Sequence, residues 1–289
     1  MLAGIVGRSG DVGRTTERRT PRDSQQELLA TLDEAVEELR DDDTAALGFG
    51  LPSTIDQRTG QAIFSVHIPL NDVDFRDRMS DRFGLPVAMD NDGNAATIAE
   101  WKVGAGRGAR HMIMLTLGTG IGGGLILDGK PYRGAIGAGA ELGHMVLQLD
   151  GPACGGGCDG FGHFEALASG QTADEAAVAL LGSGATAHDL VTRAREGDPE
   201  AAAAMTEIGR RLGAGIGSLV NIFQPEVVVI GGGFAAAGDL LFGPAKEVVA
   251  REALAPGRDL VRIVPAELGP KAGLVGAGFI AFEKLDADS

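Results

Sequence analysis

Cysteine is scarce in this chain: Cys154 and Cys158 are the two among 289 residues. That rules out a disulfide framework as the basis of the fold, and nothing else in the composition points to an oxidising compartment. Positive charge is short as well. Forty acidic residues face 25 basic ones, giving a net charge of −15 and a pI near 4.7. This balance argues against binding a nucleic acid backbone or an anionic membrane, and it names no substrate. Lysine supplies only 5 of the basic residues and arginine 20, a usage that suits a GC-rich genome or a salty cytosol. Long apolar runs are missing too, since none approaches the roughly 18 residues of a membrane span. No charged-then-apolar leader opens the chain, so the expectation is a cytoplasmic protein without a membrane partner. At 44% hydrophobic content it can still bury a large core, as one big domain or two lobes.

The informative stretch runs from Gly137 to Gly170, GAGAELGHMVLQLDGPACGGGCDGFGHFEALASG. It holds both cysteines, two of the five histidines and the glutamates Glu141 and Glu165. His144, Cys154, Cys158 and His163 are spaced H-x9-C-x3-C-x4-H, one closed set of four ligands as tetrahedral Zn2+ takes in structural sites. Four protein ligands leave no open position for water, so such a metal shapes the loop and does no chemistry itself. Glycines at 155–157, 160 and 162 let the backbone turn tightly between ligands. Two free thiols beside two surface histidines are the alternative.

Patterning along the chain predicts an α/β protein. A strand, a turn at Ser9-Gly10-Asp11 and a second strand open it, then Ser24-x-x-Glu27 reads as a capping box for a helix ending near Asp43. Short extended pieces at 45–50 and 63–67, a helix at 75–83 and a strand at 86–89 lead to Asp90-Asn91-Asp92-Gly93-Asn94. These five residues sit at a strand's end before a helix at 95–103, where α/β folds bind ligands and where Asp or Asn also serves simply as a cap. A strand at 111–117 runs into Gly118-Thr119-Gly120-Ile121-Gly122-Gly123-Gly124, followed by a strand at 125–127. Glycines placed between two strands exclude the Rossmann and Walker patterns, both of which need a helix next. A glycine-rich bend can still offer N–H groups to phosphate oxygens. Asp198-Pro199 starts a long helix, and Glu226–Ile230 is a buried strand entering Gly231-Gly232-Gly233. Helices at 172–180, 187–196, 240–254 and 272–284 and a strand at 261–265 complete the pattern. The hairpins at 2–20 and 111–133 look like equivalent openings of two related lobes, so a duplicated fold with a cleft between lobes is expected. The boundary is expected between residues 91 and 92, with a small first lobe (1–91) and a larger second one (92–289) whose closing helix packs back on the first.

Taken together, Asp90–Ala96 (DNDGNAA), Leu117–Gly124 (LGTGIGGG), Gly139–His144 (GAELGH), the cysteine loop, Glu165–Gly170 (EALASG) and Val227–Gly233 (VVVIGGG) resemble the ROK family of sugar kinases, its bacterial and archaeal glucokinases most closely. The resemblance implies the actin-like ATPase (ribonuclease-H-like) fold and ATP-dependent phosphorylation of a hexose 6-hydroxyl, with Mg2+ and a structural Zn2+. It makes Asp92 the base for the hydroxyl proton and puts Asn91, Glu141, His144 and Glu165 on the remaining hydroxyls. Thr119 and Gly120 would meet the ATP phosphates, and Gly231, Gly232 and Gly233 the adenosine. His144 would serve both metal and sugar through its two ring nitrogens. The family also implies a homodimer or a dimer of dimers. Glucose is the expected sugar, with fructose, mannose or an N-acetylhexosamine as alternatives.

Three departures from the family pattern stand out. Pro52-Ser53 replaces the usual Pro-Gly, and His67 replaces an Asn, both near the expected sugar site. The zinc loop of the family often reads C-x-C-x4-C, whereas here the first spacing is wider and the last ligand is His163. Largest is the opening, because the family begins with a strand and an Asp-x-Gly-Gly-Thr phosphate loop, and that motif occurs nowhere in this sequence. Leu2–Val6 is therefore expected to leave a gap in its sheet, from a start placed too late, and the chain to bind hexose but phosphorylate it poorly. Family members that are sugar-sensing repressors carry a helix-turn-helix segment ahead of the kinase-like body; no such segment is read here.

Overall fold

The computed structural model describes residues 1–155 and 157–288, so Gly156 of the 155–157 run lies outside the described residues. The chain divides into two compact units. Unit 1 takes Met1–Gly108, Lys130–Ala140 and Glu267–Ser289, and unit 2 takes Ala109–Gly129 and Glu141–Ala266.

Unit 1 opens with an antiparallel hairpin of β1 (Leu2–Val6) and β2 (Val12–Glu17). Helix α1 (Gln25–Leu39) follows, and Ser24 Oγ accepts from Glu27 N at 3.2 Å, which is one half of the anticipated capping box. Its apolar stripe buries Leu28, Ala35 and Leu39. Next come β3 (Leu47–Leu51), β4 (Thr54–Asp56), β5 (Gln61–Phe64), α2 (Phe75–Phe83), β6 (Val87–Asn91) and α3 (Asp92–Val103). Helix α2 stops where Gly84 turns left-handed at φ 67°. Strands β3 and β6 pair in parallel from Leu47↔Val87 to Leu51↔Asn91. Leu28, Phe49, Ile55, Phe75, Met79 and Met89 are central in the core, with Phe49 edge-to-face on Phe75 at 5.0 Å. The sheet is interrupted: β1 pairs with β2 and β3 with β6, and among the described residues no ladder joins the two pairs. Both β1 and β3 line a cavity of about 770 Å3, faced by Leu2, Gly4, Val6, Leu47, Phe49 and Leu51.

Unit 2 begins with β7 (Met112–Leu117) and β8 (Ile121–Leu127); β9 (Lys130–Tyr132) then starts the 130–140 segment of unit 1. Helices α4 (Phe164–Ala168), α5 (Gly170–Leu181), α6 (Ala187–Arg195) and α7 (Pro199–Phe223) precede β10 (Val227–Gly231). Then come α8 (Asp239–Glu252), α9 (Gly257–Leu260) and β11 (Arg262–Pro265), and the chain closes in unit 1 with α10 (Ala272–Asp288). The strands of unit 2 lie in the order β11-β10-β7-β8, parallel across the first three and antiparallel at β8. Met112–Leu115 and Val227–Ile230 are no more than 2% exposed, the unbroken apolar pattern of strands covered on both faces. Asp198 caps α7 by accepting from Glu200 N and Ala201 N at 3.0 and 3.2 Å, with Pro199 in the first turn.

Two sequence expectations need correction. Gly122–Gly124 do not belong to the bend; they run in the β8 ladder opposite Thr116, Leu115 and Met114, which leaves Gly118-Thr119-Gly120 as the turn. The division between units falls after Gly108, not after Asn91, so α3 stays with unit 1, as does α10. The reason is close packing of those two helices. A Cβ on Gly276 would lie 1.8 Å from Ala95 O, so α10 meets α3 almost backbone to backbone. Among the described residues no helix is long and apolar enough to cross a membrane.

Candidate functional site

The polar turn after β6 separates two roles that the sequence left open. Asn91 is the N-cap of α3, its Oδ1 accepting from Gly93 N at 2.8 Å and Asn94 N at 3.4 Å. Asp92 therefore need not cap the helix. Its Oδ1 accepts from Gly93 N at 2.9 Å, and the residue reaches the surface of unit 1, on the cavity that His67 also lines. Protein crowded around the rest of the group still raises the Asp92 carboxyl above its ordinary range. The Gly93 N–H, and after it the nearby His67 ring, oppose that rise without cancelling it. An accessible carboxyl with raised proton affinity at a strand's carboxyl end has the makings of a general base. With its oxygen committed to the cap, Asn91 has its side-chain NH2 left for a ligand.

Unit 2 carries the cysteine loop. A hairpin closed by Cys154 N to Gly160 O at 2.8 Å, with Phe164 N on Met145 O at 2.8 Å, folds residues 145–164 back on themselves. This brings His144, Cys154, Cys158 and His163 together, their ligand atoms all within 4.8 Å of one another. Both rings turn Nδ1 inward: His144 Nδ1 lies 3.2 Å from His163 Nδ1 and 3.7 Å from each sulfur, and His163 Nδ1 lies 3.4 Å from Cys158 Sγ. A Zn2+ tetrahedron with Zn–N of about 2.05 Å and Zn–S of about 2.3 Å has edges of about 3.3–3.8 Å. Four of its six edges are matched within a few tenths of an ångström, and the two from Cys154 Sγ to Cys158 and His163 stay within 4.8 Å, so a small closure of the loop completes the set.

Glu165, 8% exposed, joins this cluster to the glycine bend. Its Oε2 accepts from Ile121 N at 3.1 Å, and its Oε1 accepts from the Cys154 thiol at 3.0 Å. A Cβ on Gly120 would sit 2.3 Å from Glu165 Oε2, so a side chain there would displace the carboxylate. Gly170 N and Gln171 N donate to Gly118 O and Thr119 O at 2.8 and 3.1 Å, fastening the bend to the start of α5. Gly118 and Thr119 are themselves exposed. Glu141 is exposed just ahead of His144, whose N–H donates to its carbonyl at 3.1 Å. Gly231 closes β10 opposite Thr116 of β7, so the Gly231–Gly233 turn and the Gly118–Gly120 bend stand at the carboxyl ends of neighbouring parallel strands. Gly232 and Gly233 are exposed there, with Gly232 at φ 88°.

The ROK family model matches residues 1–284. This chain belongs to the ROK family. It is 34% identical over 302 residues to a glucokinase of Streptomyces coelicolor, covering 98% of this chain and 94% of that protein. A Thermotoga maritima glucokinase is 33% identical over 299 residues, again with 98% and 94% covered. Among solved structures, a ROK family glucokinase from Streptomyces griseus in complex with glucose and AMPPNP superposes with a TM-score of 0.83. It is 33% identical, with 97% of this chain and 95% of that one covered. The ROK chain accordingly has the α/β, actin-like ATPase (ribonuclease-H-like) duplicated fold. Its likeness to these enzymes supports a sugar kinase of this family. Motif reading passed over three polar residues of unit 1, Gln57, Arg133 and the role of Asp90. Nothing local marks Gln57 or Arg133, because each meets β6, at Met89 and Asp90, only through the fold.

Proposed function

We propose that this protein transfers the γ-phosphoryl group of ATP to the 6-hydroxyl of a hexose, glucose first, giving the sugar 6-phosphate and ADP. The observation that carries the reading is the Asp92 carboxyl, presented at a strand end with raised proton affinity, in a chain whose relatives are glucokinases. Phosphoryl transfer asks a protein for positioning, charge neutralisation and a carboxylate to take the hydroxyl proton. As the O6–H bond breaks toward Asp92, O6 forms its bond to Pγ and the Pγ–O bond to ADP breaks. Asn91, Glu141 and His144 hold the other hydroxyls, since a site built to bond hydroxyls rejects analogues lacking them.

Thr119 and Gly120 face the phosphates with Mg2+, and Gly231, Gly232 and Gly233 the adenosine. The fitted four-residue set supports a structural Zn2+ held by His144, Cys154, Cys158 and His163. With Nδ1 of His144 on the metal, Nε2 is left for a sugar oxygen. Were Cys154 to bind the metal as a thiolate it would have no proton to donate, which would leave Glu165 Oε1 for a hydroxyl. A cytoplasmic homodimer or dimer of dimers completes the reading, and light scattering at micromolar concentration tests the assembly.

The test is a coupled assay for ADP with glucose, fructose, mannose and N-acetylmannosamine. Fastest turnover on glucose is expected; turnover on none of them overturns the kinase reading. A second reading, a sugar binder with impaired catalysis, is favoured by the open slot between β1 and β3. Calorimetry showing glucose binding without ADP release selects it.

A further inference from the structure

Two residues before Asp92, the side chain of Asp90 is 0% exposed at the end of β6. Its Oδ1 accepts from Asn91 N at 2.8 Å and from Asn94 Nδ2 at 2.9 Å, while Oδ2 accepts from Arg133 Nε at 2.5 Å. A buried carboxylate is costly unless it is paired and its oxygens are bonded, and Asp90 meets both conditions. The cation comes from 43 residues away, on the 130–140 segment of unit 1. That segment is itself fastened. Gly139 N donates to Arg133 O at 3.0 Å, Gln57 N donates to Ile136 O at 2.7 Å, and Gln57 Nε2 donates to Met89 O at 2.9 Å.

We propose that Arg133 is a positioning residue for Asp92. Arg133 neutralises Asp90; Asp90 then holds the Asn91 amide and the Asn94 side chain; these fix the first turn of α3, from which Asp92 projects. Neither Arg133 nor Asp90 is placed against substrate, and Asp90 grips Asn91 by its backbone amide, so Arg133 acts through geometry and not through the proton transfer. The inference rests on the kinase reading for its catalytic consequence, but the ordering of the turn can be measured without it.

The experiment compares the full-length protein with Arg133→Met, Arg133→Lys and, as a matched loss of an ion pair elsewhere in unit 1, Arg58→Met. Turnover with ATP and glucose, glucose affinity by calorimetry and amide exchange at residues 91–94 are measured for each. Arg133→Met is expected to lower kcat by up to about 10²-fold, the cost of a misplaced reacting group, with glucose Kd within about three-fold. Exchange at Gly93 and Asn94 should quicken by at least about ten-fold. Arg133→Lys, which keeps the charge, should recover much of both, and Arg58→Met should alter neither.

Should Arg133→Met fail to fold, Asp90→Asn/Arg133→Met removes the buried charge with its partner and carries the same expectations. The proposal is overturned if kcat and exchange stay within about two-fold of the parent, or if kcat and glucose affinity fall together by the same factor. A parent that binds glucose without phosphorylating it defeats the kinase reading alone. Exchange at 91–94 then decides the positioning role by itself, and unchanged exchange in Arg133→Met ends it.

Discussion

The two units solve the same problem with unequal means. Unit 2 has a continuous sheet in which β7 and β10 are bonded on both sides and almost wholly buried. Unit 1 has two strand pairs with an apolar slot between them, and β1 is only half-buried, with Leu2 38% exposed. What keeps unit 1 together is helix packing, above all α10 pressed against α3, and the cluster around Phe49 and Phe75. Ladder bonds are missing on the slot side, so local stability should differ between the units far more than their composition does. The proposed base belongs to the interrupted unit, and the proposed metal ligands and the glycine turns belong to the continuous one.

The sharpest test of that division of labour is Asp92→Asn. Turnover should fall by about 10²–10⁴, the range for a general acid–base group, with glucose affinity kept within a few-fold. Near-normal turnover would return Asp92 to being one more residue of the first turn of α3. Next in size is amide exchange across the two sheets. Amides of β1 and β3 that face the slot should exchange at least about 10²-fold faster than those of β7 and β10. Equal protection would erase the contrast between the units.

Cys158→Ala addresses the other side of the comparison. Zinc should drop from one per chain to well under one by elemental analysis, thermal stability should fall, and glucose affinity should weaken by about 10–100-fold. Lost stability with unchanged glucose binding would show that the metal cluster works apart from the sugar. The smallest effect concerns acid. Arg58 beside Asp56 holds that carboxyl down to about 2, by a side-chain hydrogen bond first. A depressed carboxyl contributes stability above its unfolded value, near 3.8, and loses it as pH falls toward 2. Arg58→Met should therefore flatten the loss of stability between about pH 4 and 2, read from melting curves; an unchanged profile would remove Asp56 from the account.

Much of this molecule was legible locally. Helix α2 has the bounds that its turn residues announce, and α7 starts at the Asp198-Pro199 cap, because such signals are satisfied within one turn of backbone. The grouping of His144, Cys154, Cys158 and His163 was legible for the same reason: they span only 20 residues, and their spacing already limits how they can close. Asp92 could be found by its motif, but its freedom from the capping role could not. That depended on which neighbouring oxygen reached Asn94 N: both side chains accept from Gly93 N, and Asn91 reaches Asn94 as well.

Other features were decided only when distant pieces of chain met. Gly122–Gly124 became ladder residues because β7 offered them a register, and α3 joined unit 1 because Gly276 let α10 come so close. Glu165 reached both the glycine bend and Cys154, and Arg133 reached Asp90 across 43 residues. A cap or a turn is set by neighbours a few bonds away, so sequence by itself determines it. A buried ion pair or a helix-to-helix contact exists only where the whole fold excludes water and brings the partners together, and that is the work of tertiary structure.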